Sequence, residues 1–418
     1  MPSLFFGVPM QILCSKCSHA VSRGSLGRCP ACGGILQPDY PETSLLRLKK
    51  IEPGPGIDRY RSVLPVSSAI PFLGEGDTPL IRSRRLGPTL GLENLYFKNE
   101  GRNPSGSFKD RPGALAVALA KEAGAQGVLT ASSGNAATAI SAYAAAAGLK
   151  SLILLEPGNP PAKLRQALAT GSQVLPVKGI FAHGPEALQN FLEIVAARLN
   201  YYLGFIWAPV NPYLLEGIKS ISYEIVARLP GPPDVVVCPV GGGDMFTAQW
   251  RGYLEMKRAG MIKQLPRMVA VQSINAAPLL QAFQTRADRV SPLPYASSKI
   301  SGINVAFTGD HALAAVWNSG GFAIGVKDEE VFDTQRRIGA EEGIWVEPAG
   351  AAPVAAISEL LSMGEIRRGE RIVCILSGAG FKDSYLAEAE ASEISQREPI
   401  EFDAEAKGME DFFKQMQR

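Results

Sequence analysis

Short β-rich runs alternate with helical stretches along most of this chain, and that alternation limits the folds open to it. Residues 94–97 read as a strand and 111–123 as a helix stopped by Gly124. Residues 127–131 are the next strand, 135–147 an alanine-rich helix ended by Gly148, 151–155 a strand, and 162–170 a helix running into Gly171. Further strands are predicted at 234–238, 268–272 and 372–376, each flanked by helical patterns. Strands separated by helices pair in parallel, with the helices covering the sheet faces, so the class is α/β. Such sheets bind ligands beyond the carboxyl ends of their strands. The strand-to-helix loops are therefore where chemistry is sought.

Three of those loops are unusual. Ala131-Ser132-Ser133-Gly134-Asn135 offers backbone N–H groups, two hydroxyls and an amide at a helix start, which suits an anion or carboxylate. An ordinary capped turn fits the same residues. Cys238-Pro239-Val240-Gly241-Gly242-Gly243-Asp244 places three glycines after an apolar strand, where the backbone can approach a phosphate closely. It has neither the Lys-Ser/Thr of a nucleotide-triphosphate loop nor the G-x-G-x-x-G spacing of a dinucleotide site. Ser377-Gly378-Ala379-Gly380 follows the strand at 372–376 with small residues again. Upstream, Lys109 lies in Asn103-Pro104-Ser105-Gly106-Ser107-Phe108-Lys109-Asp110. It reads either as a solvated surface charge or as a desolvated amine with a lowered pKa, able to act as a nucleophile.

The cysteines crowd one end. Cys14-Ser-Lys-Cys17 and Cys29-Pro-Ala-Cys32 are two Cys-x-x-Cys knuckles separated by eleven residues, a spacing that lets four thiolates meet on one tetrahedral zinc. A ribbon that has lost its metal and a redox dithiol are the other readings. Four sulfur ligands leave no open position, so the site is structural. Cys238 and Cys374 lie in apolar strands and read as core.

Composition narrows the classes. With 42 basic and 40 acidic side chains the net charge is +2, no footprint for nucleic acid. Residues 1–38 carry Lys16, Arg23 and Arg28 with no acid, too little charge for a nucleic-acid adaptor. Three histidines, His19, His183 and His311, exclude a histidine-rich metal centre and read as structural or solvated. No run of residues reads as a membrane span, and residues 1–12 lack the basic start of a signal peptide, so a cytoplasmic protein is expected. Residues 37–71, rich in proline, read as a linker. The segment from 388 to 418 is a charged tail with an amphipathic end at Met409, Phe412, Phe413 and Met416.

Taken together, Asn103-Pro104 with Ser107-Phe108-Lys109-Asp110 resembles the cofactor-lysine motif of the threonine synthase family. Gly74-Glu75-Gly76-Asp77-Thr78-Pro79-Leu80, Ser132-Ser133-Gly134-Asn135, Val346-Glu347-Pro348-Ala349-Gly350 and Ser377-Gly378-Ala379-Gly380-Phe381-Lys382-Asp383 resemble other segments of it, in order, over about residues 14–383. The resemblance implies a fold-type II pyridoxal-phosphate enzyme, tryptophan synthase β-like: two doubly wound parallel-sheet domains plus a small N-terminal zinc ribbon. It implies that Lys109 binds pyridoxal 5′-phosphate and later moves protons between substrate and cofactor carbons. Asn135 would bond the cofactor's 3′ oxygen, and Ser132, Ser133 and Gly134 would hold the substrate carboxylate. Gly241, Gly242, Gly243 and Asp244 would cradle the cofactor phosphate. Ser377 would face the pyridine nitrogen, where a neutral hydroxyl moderates the electron sink and favours elimination and replacement over transamination.

The expected reaction is that of O-phospho-L-homoserine and water giving L-threonine and phosphate, in a homodimer. Residues 1–38 are expected to form the zinc module, 39–113 with 208–387 the large cofactor domain, and 114–207 a small α/β domain. Three departures from the family bear on the substrate. Ala136 stands where many members have threonine. Gly179-Ile180-Phe181-Ala182 lacks the family's asparagine at Ile180, and no arginine follows before Arg198. A dianion needs charge-assisted partners, so serine or threonine dehydratase, diaminopropionate ammonia-lyase and β-replacement activities are the alternatives.

Overall fold

The computed structural model describes residues 9–50, 53–158 and 161–383, with 391, 392 and 395 beyond them. The tail's amphipathic end lies outside the described residues. The described residues up to Asp383 cluster as one compact unit.

Three sheets organise it. The first is antiparallel, in the order β2-β1-β3, from β1 (Gln11–Cys14), β2 (Ala20–Val21) and β3 (Leu36–Asp39). The chain then lays down β4 (Leu80–Arg82) and β5 (Leu95–Asn99) before leaving to build a four-stranded sheet. That sheet comprises β6 (Gly127–Ala131), β7 (Lys150–Leu155), β8 (Gln173–Pro176) and β9 (Tyr201–Leu203), all parallel, in the order β8-β7-β6-β9. The chain returns with β10 (Val235–Pro239), β11 (Arg267–Ser273), β12 (Phe322–Val326) and β13 (Ile372–Leu376). These join β4 and β5 in a six-stranded sheet ordered β12-β11-β10-β13-β5-β4, in which only β4 runs antiparallel. β6, β10 and β13 are buried along their whole length, as strands covered by helices on both faces are.

Observed boundaries fall within two residues of those expected for the elements named above. The intervening helices are Asp110–Glu122, Asn135–Ala146, Pro161–Ala169 and Asp244–Arg258. The proline-rich stretch at 37–71 is a correction. It is no free linker: β3 and the helical segments Glu42–Leu45, Leu46–Lys49 and Gly56–Val63 occupy it, and Tyr40, Leu45, Ile57, Val63 and Leu64 are fully buried. Proline spacing marked the turns, while the apolar residues between them supply packing that a linker would leave exposed.

Candidate active site

The long connections of the α/β body bring the loops together. Ser107 bridges Gly378, and Phe108 N donates to Ser377 O at 3.0 Å, so the lysine loop is stitched to the end of β13. Val346 bridges Ala379 and Glu347 N donates to Gly378 O at 2.9 Å, adding the Val346–Gly350 segment to the same corner. Gly106 permits this: its φ is +90°, and a Cβ there would lie 2.6 Å from Phe381 Cζ and 3.1 Å from Lys382 Cδ.

Lys109 precedes the helix Asp110–Glu122, half-buried, with its Nζ 4.8 Å from the Phe108 ring centre. No hydrogen-bond acceptor or ion-pair partner holds that nitrogen among the described residues. Burial lowers its pKa, against the opposing pull of Asp244 and Glu347. An amine in this setting is a nucleophile and a base.

Glu347 organises the opposite edge. Its Oε1 accepts from Ser377 Oγ at 2.7 Å and its Oε2 from Asn135 Nδ2 at 2.9 Å. Burial pushes its pKa up, while the two donors and Lys382 pull it down. Two residues more than 200 positions apart are thus held by one carboxylate. The motif around Glu347 is visible in the sequence, but no role for it is: a carboxylate between two distant loops is a property of the fold.

Gly241, Gly242 and Gly243 lie between β10 and the helix Asp244–Arg258, and their N–H groups and that of Asp244 donate to no protein group among the described residues. Around them, Trp207 Nε1, Thr247 Oγ1 and both ring nitrogens of His311 are buried with no hydrogen-bond partner among the described residues. A Cβ on Gly242 would sit 3.4 Å from Trp207 Nε1, and one on Gly243 3.5 Å from His311 Nε2. Converging free donors, at the start of a 15-residue helix, fit a phosphate group. The Asp244 carboxylate is no part of that donor set: its Oδ1 accepts from Ala208 N at 2.8 Å and lies 3.6 Å from His311 Nε2. His311, expected to be structural or solvated, is buried against the glycine loop, 7% exposed. His183 is exposed.

In the Ser132–Asn135 loop, Ser132 N donates to Leu154 O at 3.0 Å and Gly134 N to Ser132 Oγ at 3.2 Å. The N–H groups of Ser133, Asn135 and Ala136, at the start of the alanine-rich helix, donate to no protein group among the described residues. Ile180 is 8% exposed and packs in the core beneath the four-stranded sheet with Leu188 and Leu192, away from any polar role.

The four cysteine thiols lie apart from these loops. Cys14 Sγ is 3.5 Å from Cys32 Sγ, Cys17 Sγ 3.8 Å from Cys29 Sγ and 3.3 Å from Cys32 Sγ, and all four sulfurs lie within 4.8 Å of one another. Tetrahedral zinc with bonds of about 2.3 Å sets sulfurs roughly 3.8 Å apart. The donor set fits the ion. Cys238 and Cys374 are fully buried in adjacent strands.

Comparisons with known proteins agree with this geometry. The model of the pyridoxal-phosphate-dependent enzyme family matches residues 71–378. A threonine synthase of Methanocaldococcus jannaschii is 37% identical over 415 residues, covering 96% of this chain and 99% of that one. One of Methanosarcina acetivorans is 35% identical over 88% of this chain and 91% of its own. Among solved structures, maize serine racemase superposes with a TM-score of 0.64 at 22% identity, covering 76% of this chain and 92% of its own. The processed form of threonine deaminase isoform 2 from Solanum lycopersicum gives 0.60 at 21%, covering 77% and 88%. Both share the fold. The chain belongs to the threonine synthase family of pyridoxal-phosphate-dependent enzymes.

Proposed function

We propose that this chain is a lyase that converts O-phospho-L-homoserine and water to L-threonine and phosphate. The observation that carries the reading is the 37% identity to a threonine synthase across nearly the whole of both chains. The geometry of Lys109, the glycine loop and Glu347 supports it. When bound, pyridoxal phosphate supplies the electron sink that acidifies carbon–hydrogen bonds near the substrate nitrogen. Lys109 would hold the cofactor, and its Nζ is the group that would take and return protons at the substrate. The free N–H groups of residues 241–244 bind the cofactor phosphate, with His311 and Trp207 beside them. Ser133, Asn135 and Ala136 present N–H groups to the substrate carboxylate. Glu347 fixes the Ser377 hydroxyl and the Asn135 amide relative to each other, so both side chains would be held in place beside a bound cofactor ring.

Incubating the holoenzyme with O-phosphohomoserine is expected to release phosphate and threonine in equal amounts. No turnover there, with keto acid and ammonia formed from serine or threonine, overturns the reading in favour of a dehydratase.

The glycine loop gives a second expectation. Gly243 has φ +98°, and a Cβ on it would lie 2.7 Å from Ala312 Cβ. Gly243→Ala combines backbone strain with a clash inside the cradle, and is expected to weaken cofactor binding by ~10-fold or more. Fluorescence titration of apoenzyme with pyridoxal phosphate measures it, and an unchanged Kd would remove the loop from the phosphate site.

We further infer a structural zinc on Cys14, Cys17, Cys29 and Cys32. Metal analysis is expected to find about one zinc per chain, and Cys17→Ser to weaken zinc binding at least ~10²-fold. The ribbon is tied to the body by Arg251 Nη2 donating to Pro38 O at 2.8 Å and Gly24 N to Tyr213 Oη at 2.8 Å. Turnover of the residual folded enzyme is therefore expected to survive while proteolysis within residues 14–32 accelerates. A metal-free wild type would leave the cluster as four thiols.

Residues 39–113 and 208–387 serve as the cofactor-holding body in this reading, 114–207 as the smaller body carrying the substrate loop, 1–38 as the zinc module and 388–418 as a tail. Six free cysteines fit a cytoplasmic enzyme. No helix among the described residues is long and apolar enough to cross a membrane. A homodimer is expected, with light scattering at twice the chain mass as the check.

A further inference from the structure

The sequence left the distal phosphate of the substrate without a cationic partner. The structure supplies a candidate outside every position considered for that role. Lys382 ends the short helical turn Gly380–Lys382 that follows Ser377. Its aliphatic stem passes over Gly106, where a Cβ would lie 3.1 Å from its Cδ, three residues before Lys109. Its Nζ then reaches the helix Pro161–Ala169, which belongs to the four-stranded sheet's layer, and donates to Gln166 Oε1 at 2.8 Å. The lysine thus spans from the loops at the end of β13 to the elements that carry Ser132–Asn135.

The two fully buried cations near the lysine loop, Arg111 and Lys98, are neutralised at contact distance. Arg111 pairs with Glu100 at 2.7 Å and Glu224 at 2.6 Å, and Lys98 pairs with Glu224 at 2.6 Å. Lys382 has no carboxylate within ion-pair distance among the described residues; its partner is a neutral amide. Burial lowers its pKa to about 8, with Glu347 and Asp110 the charges that oppose the shift. A half-buried ammonium with a neutral partner is an expensive group to keep. It becomes favourable when a ligand brings negative charge, because the two N–H donors not used by Gln166 form charge-assisted bonds to phosphate oxygens.

We propose that Lys382 is the specificity residue that recognises the substrate's distal anion, a phosphate monoester on the γ carbon, where its Nζ meets Gln166 beside the lysine loop. The assignment rests on the functional reading above. It gives the anion a cationic partner that Ala136, at the start of the alanine-rich helix, does not supply.

The test uses holoenzyme and visible-spectrum titrations with two ligands, O-phosphohomoserine and L-2-aminobutyrate, which has the same carbon chain without the anion. Lys382→Gln is expected to raise Kd and KM for O-phosphohomoserine by ~10- to 100-fold, a loss matching one or two charge-assisted bonds. Its Kd for 2-aminobutyrate stays within about 2-fold of wild type. Inorganic phosphate is expected to compete with substrate in the wild type and to lose that competition in the variant. Lys382→Arg, which keeps the charge, is expected to recover most of the affinity. Equal weakening of both ligands, or no weakening of either, overturns the assignment, the first by making Lys382 a structural tie through Gln166. A wild type that neither binds nor converts O-phosphohomoserine overturns the functional reading and this subsite with it. A wild type that converts it, with Lys382→Gln of unchanged Kd, overturns the subsite alone.

Discussion

Lys109→Ala is expected to remove the visible absorption band of the lysine-bound cofactor and to cut turnover at least ~10³-fold. Two functions end with one side chain. The covalent anchor is lost, and so is the base that moves protons at the substrate. Proton transfer by a positioned side chain alone contributes ~10²–10⁴-fold. The fold should survive, because Lys109 Nζ is tied to no polar partner among the described residues, and the backbone stitching through Phe108 N and Ser377 O does not use the side chain. Far-ultraviolet circular dichroism checks that point. Pyridoxal phosphate should still bind, more weakly, through the residue 241–244 cradle, and a small primary amine added to the variant should restore part of the rate. The wild-type pH profile carries a matching sign. Burial lowers the Lys109 pKa, so its proton-accepting form appears at a pH below the ordinary lysine value of about 10.4. Activity within about 10-fold of wild type would show that another group does the proton transfer.

The α/β class and the positions of the strand-to-helix loops were legible because they depend on local information. Glycines at 124, 148 and 171 end helices, apolar runs such as 235–238 mark strands, and glycine–serine junctions mark strand ends. Strands 127–131 and 372–376 are observed at their expected limits. What the sequence hid depends on contacts between distant residues. Glu347 joins Asn135 to Ser377 across 212 and 30 positions. His311 reaches the glycine loop because Gly309 N donates to Gly242 O at 3.1 Å and Thr308 Oγ1 to Gly241 O at 2.7 Å, a pairing with no local signature. Ile180 shows the reverse. A departure from a family motif suggested an altered site, and the residue is part of a hydrophobic core. The stretch 37–71 misled for a related reason: proline content describes turns, and says nothing of whether the side chains between them are buried.

Arg111→Met is expected to cost about 3–5 kcal/mol of folding stability, the largest single loss argued for this chain. Arg111, Lys98, Glu100 and Glu224 form a four-charge cluster whose side chains are 0% to 2% exposed. Arg111 donates to both carboxylates of the set, to Ser220 Oγ at 2.8 Å and to Thr78 Oγ1 at 3.3 Å, while Thr78 Oγ1 donates to Glu100 Oε1 at 2.6 Å. Two cations and two anions balance. Deleting one cation leaves a net buried negative charge, and that residual charge, rather than the lost attraction, sets the size of the effect. Acid reports on the same balance. Arg111 and Lys98 hold the Glu100 and Glu224 carboxyls below the ordinary glutamate range, despite burial acting the other way. The stability they contribute is complete above about pH 4.3 and is lost as pH falls toward their lower folded values. Lys98 then protects only weakly in Arg111→Met, so the variant should unfold at higher pH than wild type. Because Arg111 lies two residues after Lys109 in the first turn of its helix, loosening the cluster should also broaden the cofactor's visible band before global unfolding. Urea unfolding at pH 7 measures the first effect. A loss under about 1 kcal/mol would mean that water enters and solvates the remaining charges. Replacing Arg111, Lys98, Glu100 and Glu224 together by apolar residues of similar volume should cost less than Arg111→Met alone, since no charge is then stranded.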